Sequence, residues 1–332
     1  MKKILLITTG GTIASESTAE GLIPLLNGQN LAAFLNASAA DYDITIENLF
    51  QLDSSNIQPE EWQCMARAVA RSCTEYDGIV LTHGTDTMAY TASILSFMLR
   101  NISIPVVLTG SQLPISHPLT DGVENLRCAF AMASSGKAGV FVAFQRKIIL
   151  GTRAVKVRTT AFDAFESVNC PCAAVIDSGG LHINEEVLPR SDGPFTLEDQ
   201  LCNDVFLMKL TPGLNPDIFD MLLKMNYKGI VIEAFGSGGL NFVRRDLISK
   251  LQEMVNSGIS VVVCSQCLYE RSDFTIYQVG KKALESGVVQ AFDMTTEATV
   301  TKLMWALGKS ERADDVRRIF TTNYTGEVNL LI

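Results

Sequence analysis

Short runs of apolar residues alternate along the first half of the chain with longer stretches whose apolar residues recur every three or four positions. The runs Lys3–Thr8, Ile44–Leu49, Gly78–Thr82, Pro105–Thr109 and Gly139–Phe144 predict strands. The stretches Trp62–Cys73, Asp86–Arg100 and Asn125–Ser134 predict helices. In the second of these, Met88, Thr91, Leu95 and Met98–Leu99 carry the helical spacing. Strands that are apolar throughout, separated by helices, belong to a parallel sheet covered on both faces. Gly151–Glu166 breaks the rhythm with three cations among small residues, and predicts a structured loop or a short hairpin.

A second series starts near Val205. It predicts strands at Val205–Leu210, Gly229–Phe235 and Ser260–Cys264, and helices at Pro216–Met225, Arg244–Ser257 and Thr296–Leu307, the last closed by Gly308 as a C-terminal cap. The segment 186–203 is polar and holds Pro189, Gly193 and Pro194, so it predicts a linker. The fold class is therefore α/β in two domains, at 1–185 and 204–332. A length of 332 residues suits two domains of ordinary size.

Composition narrows the partners. Hydrophobic residues make up 47% and charged residues 19%, an ordinary globular balance. The net charge of −9 argues against nucleic acid and anionic membrane as partners. After Met1-Lys2-Lys3 the apolar run is too short for a signal peptide, and no run reaches the ~18 residues of a membrane helix. The eight cysteines are scattered through apolar segments, which suits reduced thiols in a cytosol. Cys264 and Cys267 have the C-x-x-C spacing but no second pair or histidine to complete a zinc site.

In open α/β sheets ligands bind beyond the carboxyl ends of the strands, so the residues just after each strand matter most. After the first comes Thr8-Thr9-Gly10-Gly11-Thr12. Adjacent glycines turn tightly and present amide N–H groups beside a hydroxyl, which suits acyl transfer. The segment lacks the glycine spacing of dinucleotide and P-loop sites, which disfavours a nicotinamide-dependent enzyme. After the strand ending at Thr82 comes His83-Gly84-Thr85-Asp86-Thr87. Its hydroxyls and carboxylate are equally the residues of a helix N-cap. Asp53-Ser54-Ser55 stands beyond a third strand and suits a small zwitterion or a capped turn. Lys156 is a base if burial disfavours its charge. His83 is more naturally structural.

Thr9-Gly10-Gly11-Thr12-Ile13-Ala14 and Leu81-Thr82-His83-Gly84-Thr85-Asp86-Thr87-Met88 together resemble the two signature motifs of the bacterial-type L-asparaginase family. The segments Leu52–Ser55, Thr109–Gln112, Asp163–Ser167 and Asp293–Thr295 extend the resemblance over nearly the whole chain. The Asp-Ser-Ser segment, the run Met88–Ala92 and the lack of a signal peptide resemble the cytoplasmic, type I branch. The resemblance implies a larger N-terminal domain with a mostly parallel sheet, a smaller C-terminal α/β domain, and a homodimer or homotetramer. It also implies hydrolysis of L-asparagine to L-aspartate and ammonia with neither metal nor cofactor. By position, Thr12 is then the nucleophile. Thr85, Asp86 and Lys156 form a second cluster, with Lys156 as base. Asp53, Ser54, Ser55, Thr85 and Asp86 hold the substrate. Where many members carry a tyrosine on the loop after the first motif, this chain has Leu22; the loop Ser15–Asn30 keeps Gly21 and Gly28 as hinges for a lid. A regulatory asparagine site would fall at Glu233, Cys267 and Lys302, although some relatives have arginine where Glu233 stands. The rival readings are a glutaminase-asparaginase, an ammonia-supplying subunit of tRNA-linked amidation, and an amino-acid sensor without turnover.

Overall fold

The computed structural model describes residues 1–18, 21–24, 28–34 and 42–330. It divides into two compact units, Met1–Asp199 and Gln200–Ile332. The first is built on an eight-stranded sheet. Its spatial order is Gly180–Ile183, Ala174–Asp177, Lys147–Leu150, Gly139–Phe144, Pro105–Thr109, Gly78–Thr82, Lys2–Gly10 and Tyr42–Leu52. The last five run parallel to one another and the first three pair antiparallel.

The five predicted strands are the parallel ones. Their residues alternate faces, and Ile4, Leu6, Val80, Val107 and Phe141 pack with Leu126, Ala129 and Phe130 of the helix Gly122–Ala133. The helix Met88–Met98 is buried nearly all round, as its apolar sequence requires. From the first strand the chain passes to Tyr42–Leu52 on one side, then returns across to Gly78–Thr82 on the other. The order reverses at the first strand, and the carboxyl end of a strand at such a reversal is where open α/β sheets bind ligands.

The break at Gly151–Glu166 is a short hairpin, Ala154–Lys156 paired with Phe165–Ser167. The segment 186–203 departs from the expected linker: up to Asp199 it belongs to the first unit. Thr196–Leu197 pairs antiparallel with Leu99–Arg100, Arg100 binds Asp192 at 2.9 Å, and Arg67 binds Asp199 at 2.6 Å. A polar composition looks like a linker, but backbone pairing and ion pairs fix this one.

The second unit is a four-stranded parallel sheet, Val205–Lys209, Gly229–Ala234, Ser260–Ser265 and Val289–Gln290. Helices Asp217–Lys224 and Leu247–Asn256 pack Phe219, Leu222, Leu251 and Met254 against Ile230, Ile232, Val261 and Val263. Gly308 is not the expected cap. The helix Thr296–Lys309 runs through it, and a Cβ there would lie 2.4 Å from the Gln200 carbonyl oxygen. Close approach of a second backbone, not a helix end, requires the glycine.

Lys302 on that helix and Glu327 near the C-terminus form a wholly buried ion pair at 2.6 Å. Lys302 also donates to the Thr322 carbonyl at 2.9 Å, and Glu327 accepts the amide N–H groups of Tyr324 and Thr325. Burial raises the Glu327 carboxyl, but the Lys302 charge and the hydrogen bonds outweigh it and hold the carboxyl below its ordinary range. Glu327→Ala strands an ammonium in the core, and is expected to destabilise this unit by about 3–5 kcal/mol, read from chemical denaturation.

Candidate active site

Three neighbouring strand ends converge. Thr8 stands opposite Thr82 and Gly10 opposite Leu52, so the ends are level. The Gly11 amide donates to the Leu52 carbonyl at 2.9 Å, and Thr9 Oγ1 donates to the Thr82 carbonyl at 2.7 Å. Gly11 has φ +79°, and a Cβ on it would lie 2.3 Å from the Gly84 amide nitrogen. Only glycine fits where these two turns touch. The contact places Thr12, which begins the turn Thr12–Ala14, beside the turn that carries Thr85. Ile13 and Ala14 anchor this turn in the core, while Thr12 remains half-buried.

Lys156 arrives from the short hairpin, at the end of Ala154–Lys156. Its Nζ donates to Thr85 Oγ1 at 2.8 Å and to Asp86 Oδ1 at 2.6 Å. The lysine side chain is 16% exposed and the Asp86 side chain 63%. One carboxylate oxygen therefore holds the ammonium, and the carboxylate still opens to solvent. Thr85, Asp86 and Thr87 sit before the helix Met88–Met98, yet no side chain caps its start. Thr85 and Asp86 turn to Lys156, and the Thr87 hydroxyl donates to the Ser54 carbonyl at 2.8 Å. The helix begins two residues later than the periodicity predicts because these residues are engaged elsewhere.

The third strand end supplies Asp53, whose Oδ1 accepts from the Ser55 amide at 2.8 Å and the Ser55 hydroxyl at 2.6 Å. Both residues are exposed. Ser54 differs from them. It is 3% exposed, and its Oγ accepts from the Asp86 amide at 3.3 Å. This bond braces the backbone under Asp86 and leaves the Ser54 hydroxyl proton to donate elsewhere. No group of three or more His, Cys, Asp or Glu gathers to hold a metal among the described residues.

Residues 3–189 match the family model for the asparaginase N-terminal domain, and 204–320 that for the glutaminase/asparaginase C-terminal domain. The chain belongs to the asparaginase family. It is 43% identical over 328 residues to an L-asparaginase of Thermococcus kodakarensis, covering 98% of this chain and 99% of that one. A solved structure of the thermostable L-asparaginase from the same organism superposes with a TM-score of 0.93 at 42% identity, covering 98% and 99% of the two chains. The chain is also 36% identical to a glutamyl-tRNA(Gln) amidotransferase subunit of Pyrococcus abyssi, over 99% of its own length and 77% of the relative's.

Within this asparaginase scaffold His83 is structural. It is fully buried, and that burial pushes its pKa down to about 4. Its Nδ1 lies 2.7 Å from the Gly84 carbonyl and its Nε2 2.9 Å from Thr91 Oγ1. A carbonyl only accepts, so Nδ1 carries the proton and Nε2 accepts from Thr91. Thr91 in turn accepts from Trp62 Nε1 at 3.0 Å. This series of hydrogen bonds aims the Gly84 peptide. The unfolded histidine takes a proton below about 6.5, whereas the folded one resists until about 4. Stability is therefore complete above pH ~6.5 and falls as pH drops through this window, by about 3 kcal/mol in all. Denaturation between pH 7 and pH 4 should show this loss in the native protein and a shallower slope in His83→Asn.

Glu233 and Cys267 stand near adjacent strand ends of the second unit. Glu233 accepts from the Thr296 hydroxyl at 2.7 Å and lies 3.7 Å from Lys209. Cys267 is an exposed free thiol. Lys302, on the helix Thr296–Lys309, pairs with Glu327. Leu22 lies on a small hairpin, Ser15–Thr18 with Gly21–Pro24, opposite Ser17 in the register. Parts of the expected lid, at 19–20 and 25–27, lie outside the described residues. Sequence reasoning assigned no role to Gln112, whose side chain reaches Thr85 at 3.3 Å. It was visible only as part of the Thr109–Gln112 segment.

Proposed function

We propose that the chain hydrolyses L-asparagine to L-aspartate and ammonia, with Thr12 as nucleophile. The observation that carries this reading is the lysine–threonine–carboxylate cluster at Lys156, Thr85 and Asp86, set against the Gly-Gly-Thr turn by the contact of Gly11 with Gly84. The substrate's α-ammonium pairs with Asp86, and Asp53 and Ser55 meet its zwitterionic end. Thr12 Oγ then attacks the side-chain amide carbon, and its proton leaves through the Thr85–Lys156 pair. The amide N–H groups of Thr12 and Thr85 have no acceptor among the described residues and serve the developing oxyanion. The C–N bond breaks, ammonia departs with a proton, and an aspartyl ester remains on Thr12. Thr85 and Lys156 then orient and deprotonate a water that hydrolyses this ester.

The working form is a homodimer or homotetramer in the cytoplasm. A regulatory asparagine at Glu233, Cys267 and Lys302 would require Lys302 to leave Glu327, so the geometry favours an enzyme with one kind of site. The similarity to an amidotransferase subunit favours a second reading, ammonia supply to a synthetic partner. Ammonia release from L-asparagine and from L-glutamine by the purified protein tests both. Release from asparagine supports the proposal. No release from either, with asparagine still raising the melting temperature, replaces it with an amino-acid sensor.

A further inference from the structure

We propose that Gln112 is a positioning residue that orients the Thr85 hydroxyl toward Lys156 and ties it to the loop after Lys156; this rests on the roles given above to Thr85 and Lys156. Gln112 Nε2 donates to the carbonyl oxygens of Thr159 and Ala161, each at 3.1 Å. Both partners only accept, so the NH2 group must face them. A flipped amide would set three acceptors together. Oε1 is thereby turned to Thr85 Oγ1, 3.3 Å away. An amide oxygen only accepts, so the single Thr85 proton points at Gln112 and the threonine lone pairs point at Lys156 Nζ, 2.8 Å away. This amide sets where the Thr85 hydroxyl proton points.

The amide is itself held from behind. The Gln112 backbone N–H donates to both Asp121 carboxylate oxygens at 3.1 Å, and Asn125 Nδ2 donates to Asp121 Oδ2 at 3.0 Å. On the other side, the loop that Gln112 grips begins immediately after Lys156 and is closed by Val157 N–H to the Ala164 carbonyl at 2.8 Å. Gln112 thus fixes Thr85 directly and Lys156 through the loop. When Lys156 is neutral, the Thr85 proton needs only to rotate from the long Gln112 bond to the shorter lysine contact. The charged groups about Lys156 are Asp86 and, on its own hairpin, Arg158, which is occupied by Asp163 and Glu166.

Two variants test this in the full-length protein, with ammonia release as the readout. Gln112→Met removes both the acceptor and the donors, and is expected to lower kcat by roughly 10- to 100-fold with KM little changed. Gln112→Glu keeps the acceptor and sets a carboxylate beside Thr85 and Lys156, but it turns an oxygen on the Thr159 and Ala161 carbonyls and so releases the loop. It favours the ammonium, so the acidic limb of the pH–rate profile should move to higher pH. The near-isosteric Glu variant decides the matter if the Met variant does not fold. Native kcat and pH profile in the folded variants, or a loss confined to KM, overturns the proposal. Lys156→Met, measured alongside, separates the two failures: if it too retains activity, the underlying assignment is at fault and not the role of Gln112.

Discussion

Thr12→Ala should lower asparagine turnover by at least about a thousandfold while the fold and the binding of amino acid survive. Removing the nucleophile from a covalent site can cost as much as about a millionfold, and what remains reflects binding and oxyanion donors alone. A residual rate is expected here because Thr85 and Lys156 stay in contact and can still orient a water. The substitution is structurally mild. Thr12 is half-buried, its hydroxyl has no hydrogen bond to another described residue, and the turn is anchored by Ile13, Ala14 and the Gly11–Leu52 bond. The melting temperature should therefore match the native protein and still rise with L-asparagine. Thr12→Ser keeps a hydroxyl in place and should retain measurable activity. Near-native turnover in Thr12→Ala would move the covalent role elsewhere.

Lys156→Met is expected to lower kcat by about 100- to 10,000-fold, the usual worth of a positioned general base. It also releases Asp86 from its only ion pair among the described residues, so KM should change as well. Lys156→Arg distinguishes chemistry from charge. Arginine preserves a cation beside Asp86 but cannot give up its proton near neutral pH. If Lys156 acts as a base, the Arg variant is about as impaired as the Met variant. Substantial activity in the Arg variant would make Lys156 an electrostatic anchor only.

Four of the five parallel strands of the first unit were legible as apolar runs, a pattern that burial on both faces imposes, whereas the fifth, Tyr42–Leu52, lies at the sheet edge, mixes polar and apolar residues and has none buried. The hairpin holding Lys156 was legible as a break in rhythm. The antiparallel edge, Ala174–Asp177 and Gly180–Ile183, was missed because it is short and partly exposed. The helices Gln278–Glu285 and Ala313–Phe320 were missed because few of their residues are buried. In the site, the two Gly-Thr strand ends could be read directly. Their meeting could not, since it depends on Gly11 touching Gly84 from a distant part of the chain. Ser54 was legible as part of the Asp53-Ser54-Ser55 strand end, but its bond to the Asp86 amide was not, and Gln112 carries no local pattern, its contact appearing only when Thr85 stands beside it. Lys302 showed the reverse limit. Only the family resemblance offered it, as part of a regulatory site, and nothing local in the sequence pointed to its partner Glu327, 25 positions away and equally buried.

The central claim is that Thr12, and not Thr85, becomes acylated. The most direct test treats the protein with an asparagine analogue whose amide is replaced by a reactive diazoketone, then locates the adduct by peptide mapping. The account predicts a single adduct on Thr12, prevented by excess L-aspartate and absent from Thr12→Ala. An adduct on Thr85, with Thr12 unmodified, would contradict it.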